Sequence, residues 1–177
     1  MNKTLLSLVV FASSLSALEV APAIERPLAS HIIENDLTPK ARHYTMPKKC
    51  VSDNRESINR GAYIFHNLNS EKAQGDIPKK ILLQLRDGKI KQYGNCVACH
   101  NIEGAIGHGN IGPDLTHYNE YFIQSGVRDA AYVYQKIADP RTDNPNTHMT
   151  INLTNKLMSE EEICDLTSYI LAKKSHN

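Results

Sequence analysis

Five consecutive residues, Cys96-Val97-Ala98-Cys99-His100, constrain this chain more than anything else in it. Two thiols at this spacing lie on one turn of chain, with an imidazole adjoining the second. Three chemistries use cysteines in this way. A redox dithiol needs a strand–helix–strand context, and a zinc site needs a second cysteine pair at similar spacing. Only Cys50 and Cys164 remain, far apart in sequence. The third chemistry is covalent attachment of haem c, in which both thiols reach vinyl carbons on one edge of the porphyrin. The adjacent His100 then projects under the iron as its proximal ligand. This reading makes Cys96 and Cys99 attachment points for one covalent haem c and His100 a metal ligand.

The N-terminus fits that chemistry. Met1-Asn2-Lys3-Thr4 precedes an apolar stretch from Leu5 to Leu18, broken only by small residues and Ser, and an Ala21-Pro22-Ala23 signature follows. A lone Lys ahead of a short apolar run and small residues is the pattern of a secretory signal, so residues 1–23 are expected to act as a signal peptide, with cleavage after Ser16 or Ala23. The run is too short and too serine-rich to span the roughly 20 residues that hydrocarbon demands. Later apolar runs are short and interrupted by charge. The mature protein is therefore expected outside the cytoplasm, where haem c attachment takes place, with no membrane association after cleavage. A formal net charge of +1, from 20 basic and 19 acidic residues, gives no global basic field and disfavours nucleic acid as a partner. Trp is absent and aromatics make up 6% of the chain, a thin core that a large apolar cofactor would fill.

The pattern predicts an all-α domain behind an N-terminal extension. Residues 24–51 hold Pro27, Pro39 and Pro47 without a clean period and read as an extended arm or linker. The domain is expected over 52–177. Asp53, with Glu56 three residues on, signals a helix start, and Ile58, Ala62, Ile64 and Phe65 give that helix an apolar side. Gly61 inside it suggests a close helix crossing, since Gly costs about 1 kcal/mol against Ala there. Residues 67–93 read as a charged insertion with a short helix or strand at Ile81–Leu85 and a hairpin turn at Asp87-Gly88. Val127, Ala131, Val133, Tyr134 and Ile137 recur at helical spacing over Ser125–Ala138. A last helix opens on a capping box, Ser159 with Glu162, and ends near Lys173 and Lys174, which suit its dipole.

A haem-ligating imidazole needs a carbonyl for its other nitrogen. Gly112-Pro113 follows a loop containing Gly104, Gly107 and Gly109, and it either supplies that carbonyl or merely marks a turn. The distal ligand has four candidates. Met149 closes the polar loop Asp143-Asn144-Pro145-Asn146-Thr147-His148-Met149, where a methionine has no packing purpose. Met158 reads as a core residue at the start of the last helix. His148 and His117 remain, as does an open distal position. Met149 is favoured, because a thioether there can reach the iron opposite His100, and His/Met ligation suits an electron acceptor.

Three segments carry a resemblance: Asn95–His100, Gly109–Leu115 and Asn144–Met149. Together with Leu157–Ile163 they are similar to the SoxX family, monohaem class I cytochromes c and subunits of the SoxAX cytochrome. The resemblance implies a class I cytochrome c fold wrapped round the haem, with the Pro113 carbonyl behind His100. It implies a periplasmic location and a SoxA-type cytochrome subunit as partner. That complex oxidatively joins thiosulfate to a cysteine of the carrier SoxYZ, as an L-cysteine S-thiosulfotransferase. This chain would be its electron-accepting subunit, with no catalytic residue of its own, passing electrons to a downstream acceptor cytochrome. Two departures stand out: Thr150 follows Met149 where the family usually has Pro, and the 67–93 insertion is long. In class I cytochromes the first and last helices cross, so Cys50 and Cys164 could pair. A bridge from Cys50 to another subunit and an unpaired, buried Cys164 fit the sequence equally well.

Overall fold

The computed structural model describes residues 39–67, 76–82 and 92–174. The chain divides into two units, 1–38 and 39–177, and every described residue belongs to the second. The signal segment and the hairpin expected around Asp87-Gly88 lie outside the described residues. Among the described residues there is no strand, and no helix is long and apolar enough to cross a membrane. The regular elements are helix α1 (Arg55–His66), a single turn α2 (Lys79–Leu82), α3 (Ala130–Ala138) and α4 (Glu160–Leu171). Cys96–Ala98 and Pro140–Thr142 are 3₁₀ turns, and Asn119–Ile123 is one turn of π-helix.

The helix starts follow side-chain chemistry. α1 is capped by Asn54, one residue later than Asp53, through Asn54 Oδ1 accepting from Glu56 N at 2.9 Å. α4 begins on the expected capping box. Ser159 Oγ accepts from Glu162 N, and Glu162 Oε2 accepts from Ser159 N at 2.8 Å. It ends at Leu171, two residues short of Lys173. Lys174 nevertheless reaches back, donating to Tyr169 O at 2.9 Å and lying 3.8 Å over the Tyr169 ring. α3 starts at Ala130 rather than Ser125. Gly126, at φ +74°, breaks the run, and Asp129 caps Tyr132 N at 2.7 Å. Val127, counted into that helix from its spacing, is 61% exposed.

The core forms where α1 crosses α4. A Cβ on Gly61 would fall 2.0 Å from the Asp165 carbonyl oxygen, so only Gly permits the approach. Asp165 is met there by Ser57 Oγ at 2.6 Å and by Arg60 Nε and Nη2 at 2.7 and 2.9 Å. A buried carboxylate needs such donors to offset its lost hydration. Ile64, Phe65, Ile163 and Leu166 pack at the crossing with next to no exposure.

Two features of the N-terminal extension differ from a free linker. Residues 39–47 hold no regular element, and Lys48-Lys49 form a turn closed by Cys50 N donating to Pro47 O. All belong to the compact unit rather than to a separate arm. Tyr44 N donates to Gln135 Oε1 at 2.6 Å, Gln135 Nε2 donates to the Arg42 carbonyl at 3.0 Å, and Arg42 N donates to Asp139 Oδ2 at 3.2 Å. Cys50 and Cys164 form a disulfide, with Cα atoms 4.8 Å apart, which fastens the extension to α4.

Candidate haem site

The Cys96–His100 turn is held by its own backbone and by the loop behind it. Cys99 N and His100 N both donate to the Cys96 carbonyl, at 3.2 and 3.0 Å. The following loop is laced onto this turn: Gly109 N donates to Val97 O and Gly112 N to Cys99 O, both at 2.9 Å, and Leu115 N to Asn101 O at 2.8 Å. The approach is close enough to exclude side chains. A Cβ on Gly109 would lie 1.8 Å from the Ala98 carbonyl oxygen, and one on Gly112 would lie 2.3 Å from His100 Cε1. The sequence showed a Gly-rich loop here, but which glycines touch the turn is a matter of tertiary packing.

His100 Nδ1 lies 2.9 Å from the Pro113 carbonyl oxygen. A carbonyl only accepts, so Nδ1 carries the proton and Nε2 keeps its lone pair for a metal. Asp114, next in sequence, closes the loop by accepting from Thr116 N at 2.7 Å and from Asn101 Nδ2 at 2.5 Å. The Thr116 and Asn101 bonds hold its carboxyl below the usual carboxylate range. Burial pushes the Cys96 thiol up to about 12, which keeps it protonated at neutral pH.

The loop carrying Met149 is built from short-range caps. Asn144 Oδ1 accepts from Asn146 N at 3.0 Å, and Thr147 Oγ1 accepts from Met149 N at 3.1 Å. The loop leaves the end of α3 and returns to it. Asn152 Nδ2 donates to the Ile137 carbonyl at 2.8 Å, Leu153 N to Ala138 O at 2.9 Å, and Thr154 Oγ1 to Asp139 Oδ2 at 2.5 Å. Two side chains and one backbone amide thereby stitch the returning end of the loop to the end of α3.

These two pieces of chain face a common cavity of about 150 Å³ that opens to solvent. Cys96, Cys99, His100, His148 and Met149 all line it, with apolar walls from Phe65, Leu115, Ile137, Leu166 and Ile170. Cys96 and Cys99 are unpaired and half-buried. Met158 is not among the lining residues and lies 2% exposed in the core. His117 sits elsewhere, in a hollow with Lys173 and Lys174, 3.7 Å from Glu120. Of the four distal candidates, then, Met149 and His148 share the cavity with His100. Asn152 also lines it, a residue that nothing in the sequence singled out.

The residues present fit a haem. Two thiols and a deprotonated imidazole nitrogen stand on one piece of chain, a thioether and a second imidazole on another, and apolar side chains between them. When bound, the haem supplies one-electron chemistry at iron.

A helical domain with this cavity is of the kind that holds a haem by a short thiol-bearing turn. The sequence model of the family Cytochrome c matches residues 86–174, half of the chain, and the chain belongs to that family. It is accordingly an electron-transfer haem protein whose haem c is bound covalently. Among curated proteins, none matches the chain.

Proposed function

We propose that the chain is an exported monohaem cytochrome c of the SoxX type, the electron-accepting subunit of a SoxAX complex. The observation that carries the reading is the meeting of two sequence segments in one cavity. Cys96, Cys99 and His100 stand on one side, and the Asn144–Met149 loop brings Met149 to the same space. The haem is then attached through both cysteines and ligated by His100 and Met149, with Pro113 orienting His100. The cysteine thiolate of SoxYZ joins the outer sulfur of thiosulfate, forming one S–S bond and releasing two electrons. A single haem iron carries one electron at a time, so it passes each in turn to a downstream acceptor cytochrome. The SoxA-type subunit holds the site where the bond forms, and this chain alone is catalytically silent.

The test is expression of the full chain with its SoxA-type partner in a periplasm, followed by addition of thiosulfate and SoxYZ. Haem reduction only when all components are present supports the proposal. Absence of reduction in the complete mixture overturns it, and a haem that still exchanges electrons with other redox proteins would then identify a freestanding carrier.

A further inference from the structure

The Pro113 carbonyl orients His100, so something in the chain must aim that oxygen. It lies in the peptide plane that Pro113 shares with Asp114, and its direction turns with ψ of Pro113 and φ of Asp114. The proline ring fixes only φ of Pro113. Pro113 and Asp114 are both exposed, so water competes with the carbonyl for the Nδ1 proton.

A ladder of hydrogen bonds joins residues 99–101 to residues 112–115. Its outer rungs are backbone bonds, Gly112 N to Cys99 O at 2.9 Å and Leu115 N to Asn101 O at 2.8 Å. Between them lie His100 Nδ1 to Pro113 O at 2.9 Å and Asn101 Nδ2 to Asp114 Oδ2 at 2.5 Å. Asp114 Oδ1 also accepts from Thr116 N at 2.7 Å. The carboxylate is thus held at both oxygens, by the residue next to His100 and by the chain just beyond Asp114. Bonds to an ionised acceptor are roughly twice as strong as neutral ones. With its side chain pinned at both oxygens, Asp114 cannot rotate freely about φ, and the plane carrying the Pro113 oxygen is held with it.

We infer that Asp114 and Asn101 are positioning residues for the proximal ligand, their side-chain bond aiming the Pro113 carbonyl at His100 Nδ1. The imidazole is thereby kept in the tautomer and orientation that leave Nε2 for the iron. The inference rests on His100 being the proximal ligand. Neither side chain lines the cavity, so both act through Pro113 and His100 rather than on the haem.

The experiment uses the full chain matured in a periplasm, as wild type and as Asp114→Ala, Asn101→Ala and Asp114→Asn. Haem content and the low-spin absorption spectrum are recorded first. Proton NMR of the reduced, diamagnetic protein then follows hydrogen exchange at His100 Nδ1–H, with the backbone amides of Leu166 and Ile170 in α4 as reference. Each alanine variant should exchange the Nδ1 proton about tenfold faster, the low end of what losing a residue behind a metal ligand costs. The α4 amides should keep their wild-type rates. Asp114→Asn should stay within about twofold of wild type, because its carboxamide oxygen accepts from Thr116 N and Asn101 can turn its own oxygen toward the new amide donor. Wild-type Nδ1 exchange in both alanine variants overturns the inference, as does an Asp114→Asn rate equal to that of Asp114→Ala. An equal rise at the α4 amides overturns it too, since that marks general loosening. Loss of haem from all three variants has the same force, leaving the pair a requirement of folding alone. A wild-type protein without a low-spin spectrum would instead overturn the assignment of His100 as ligand.

Discussion

Replacing Asp139 by alanine is the sharpest test of how the distal loop and the N-terminal extension are held. The Asp139 side chain has no exposed surface, and Arg141 beside it is 12% exposed. Arg141 donates to the carboxylate through Nε at 2.9 Å and Nη2 at 2.7 Å, Thr154 through Oγ1 at 2.5 Å and Arg42 through its backbone N at 3.2 Å. Burial pushes this carboxyl up, but the hydrogen bonds from Arg141, Thr154 and Arg42 outweigh it and bring the value down to about 2 from 3.8. A depressed carboxylate stabilises the fold above its unfolded value, and that contribution is lost as pH falls toward its folded value. The shift corresponds to about 2 kcal/mol at neutral pH, with roughly half remaining at pH 3. Alanine also leaves Arg141 buried without a counter-charge, so the total loss at pH 7 is expected at about 3–5 kcal/mol. Urea unfolding followed by circular dichroism at pH 7, 5 and 3 measures it. The gap between variant and wild type should narrow by about 1 kcal/mol at pH 3. Trypsin should also cut the variant sooner at Lys40 and Arg42, since Arg42 N loses its acceptor. A loss below about 1 kcal/mol at pH 7, or a gap independent of pH, would refute the reasoning.

Other perturbations probe separate parts of the molecule. Met149→Ala should abolish the sulfur-to-iron band near 700 nm, and an unchanged band would remove Met149 as ligand. Gly112→Ala drives a methyl group into the His100 ring; absorption of the matured protein should show loss of normal proximal ligation, while urea stability of the rest changes little. Gly61→Ala sets a Cβ against the Asp165 carbonyl, so the α1–α4 crossing must open at a cost of about 3 kcal/mol, at the upper end for overpacking. Cys50→Ser with Cys164→Ser removes a cross-link of sequence separation 114 and should lower stability by about 2–5 kcal/mol; unfolding of the wild type with and without reductant gives the comparison.

The chemistry of the site was largely written in local sequence. A haem attachment turn is a spacing, and Cys96, Cys99 and His100 lie on one short turn whatever the rest of the chain does. The capping box at Ser159 and Glu162 and the apolar period of α4 are equally local, because each depends on residues within a turn or two of one another. Val127 shows where such reading stops. Its spacing matched a helix, but Gly126 in the left-handed region and the Asp129 cap end the run, and the side chain faces solvent. The segment 39–51 failed for the opposite reason. It has no period to read, and it is bound by Asp139, Gln135 and Cys164, which lie about a hundred residues away.

What the sequence by itself determined is therefore the attachment turn, the all-α character of the described residues and the start of the last helix. Tertiary structure alone decided which distant groups share a space. It removed Met158 and His117 from the cavity and kept Met149 and His148 in it. It paired Cys50 with Cys164, set Gly112 against the His100 ring, and left the Asn152 oxygen without a partner. Local patterns follow from the geometry of one turn of chain, whereas these outcomes depend on how α1 and α4 cross and how the loops return. No short stretch of sequence contains that information.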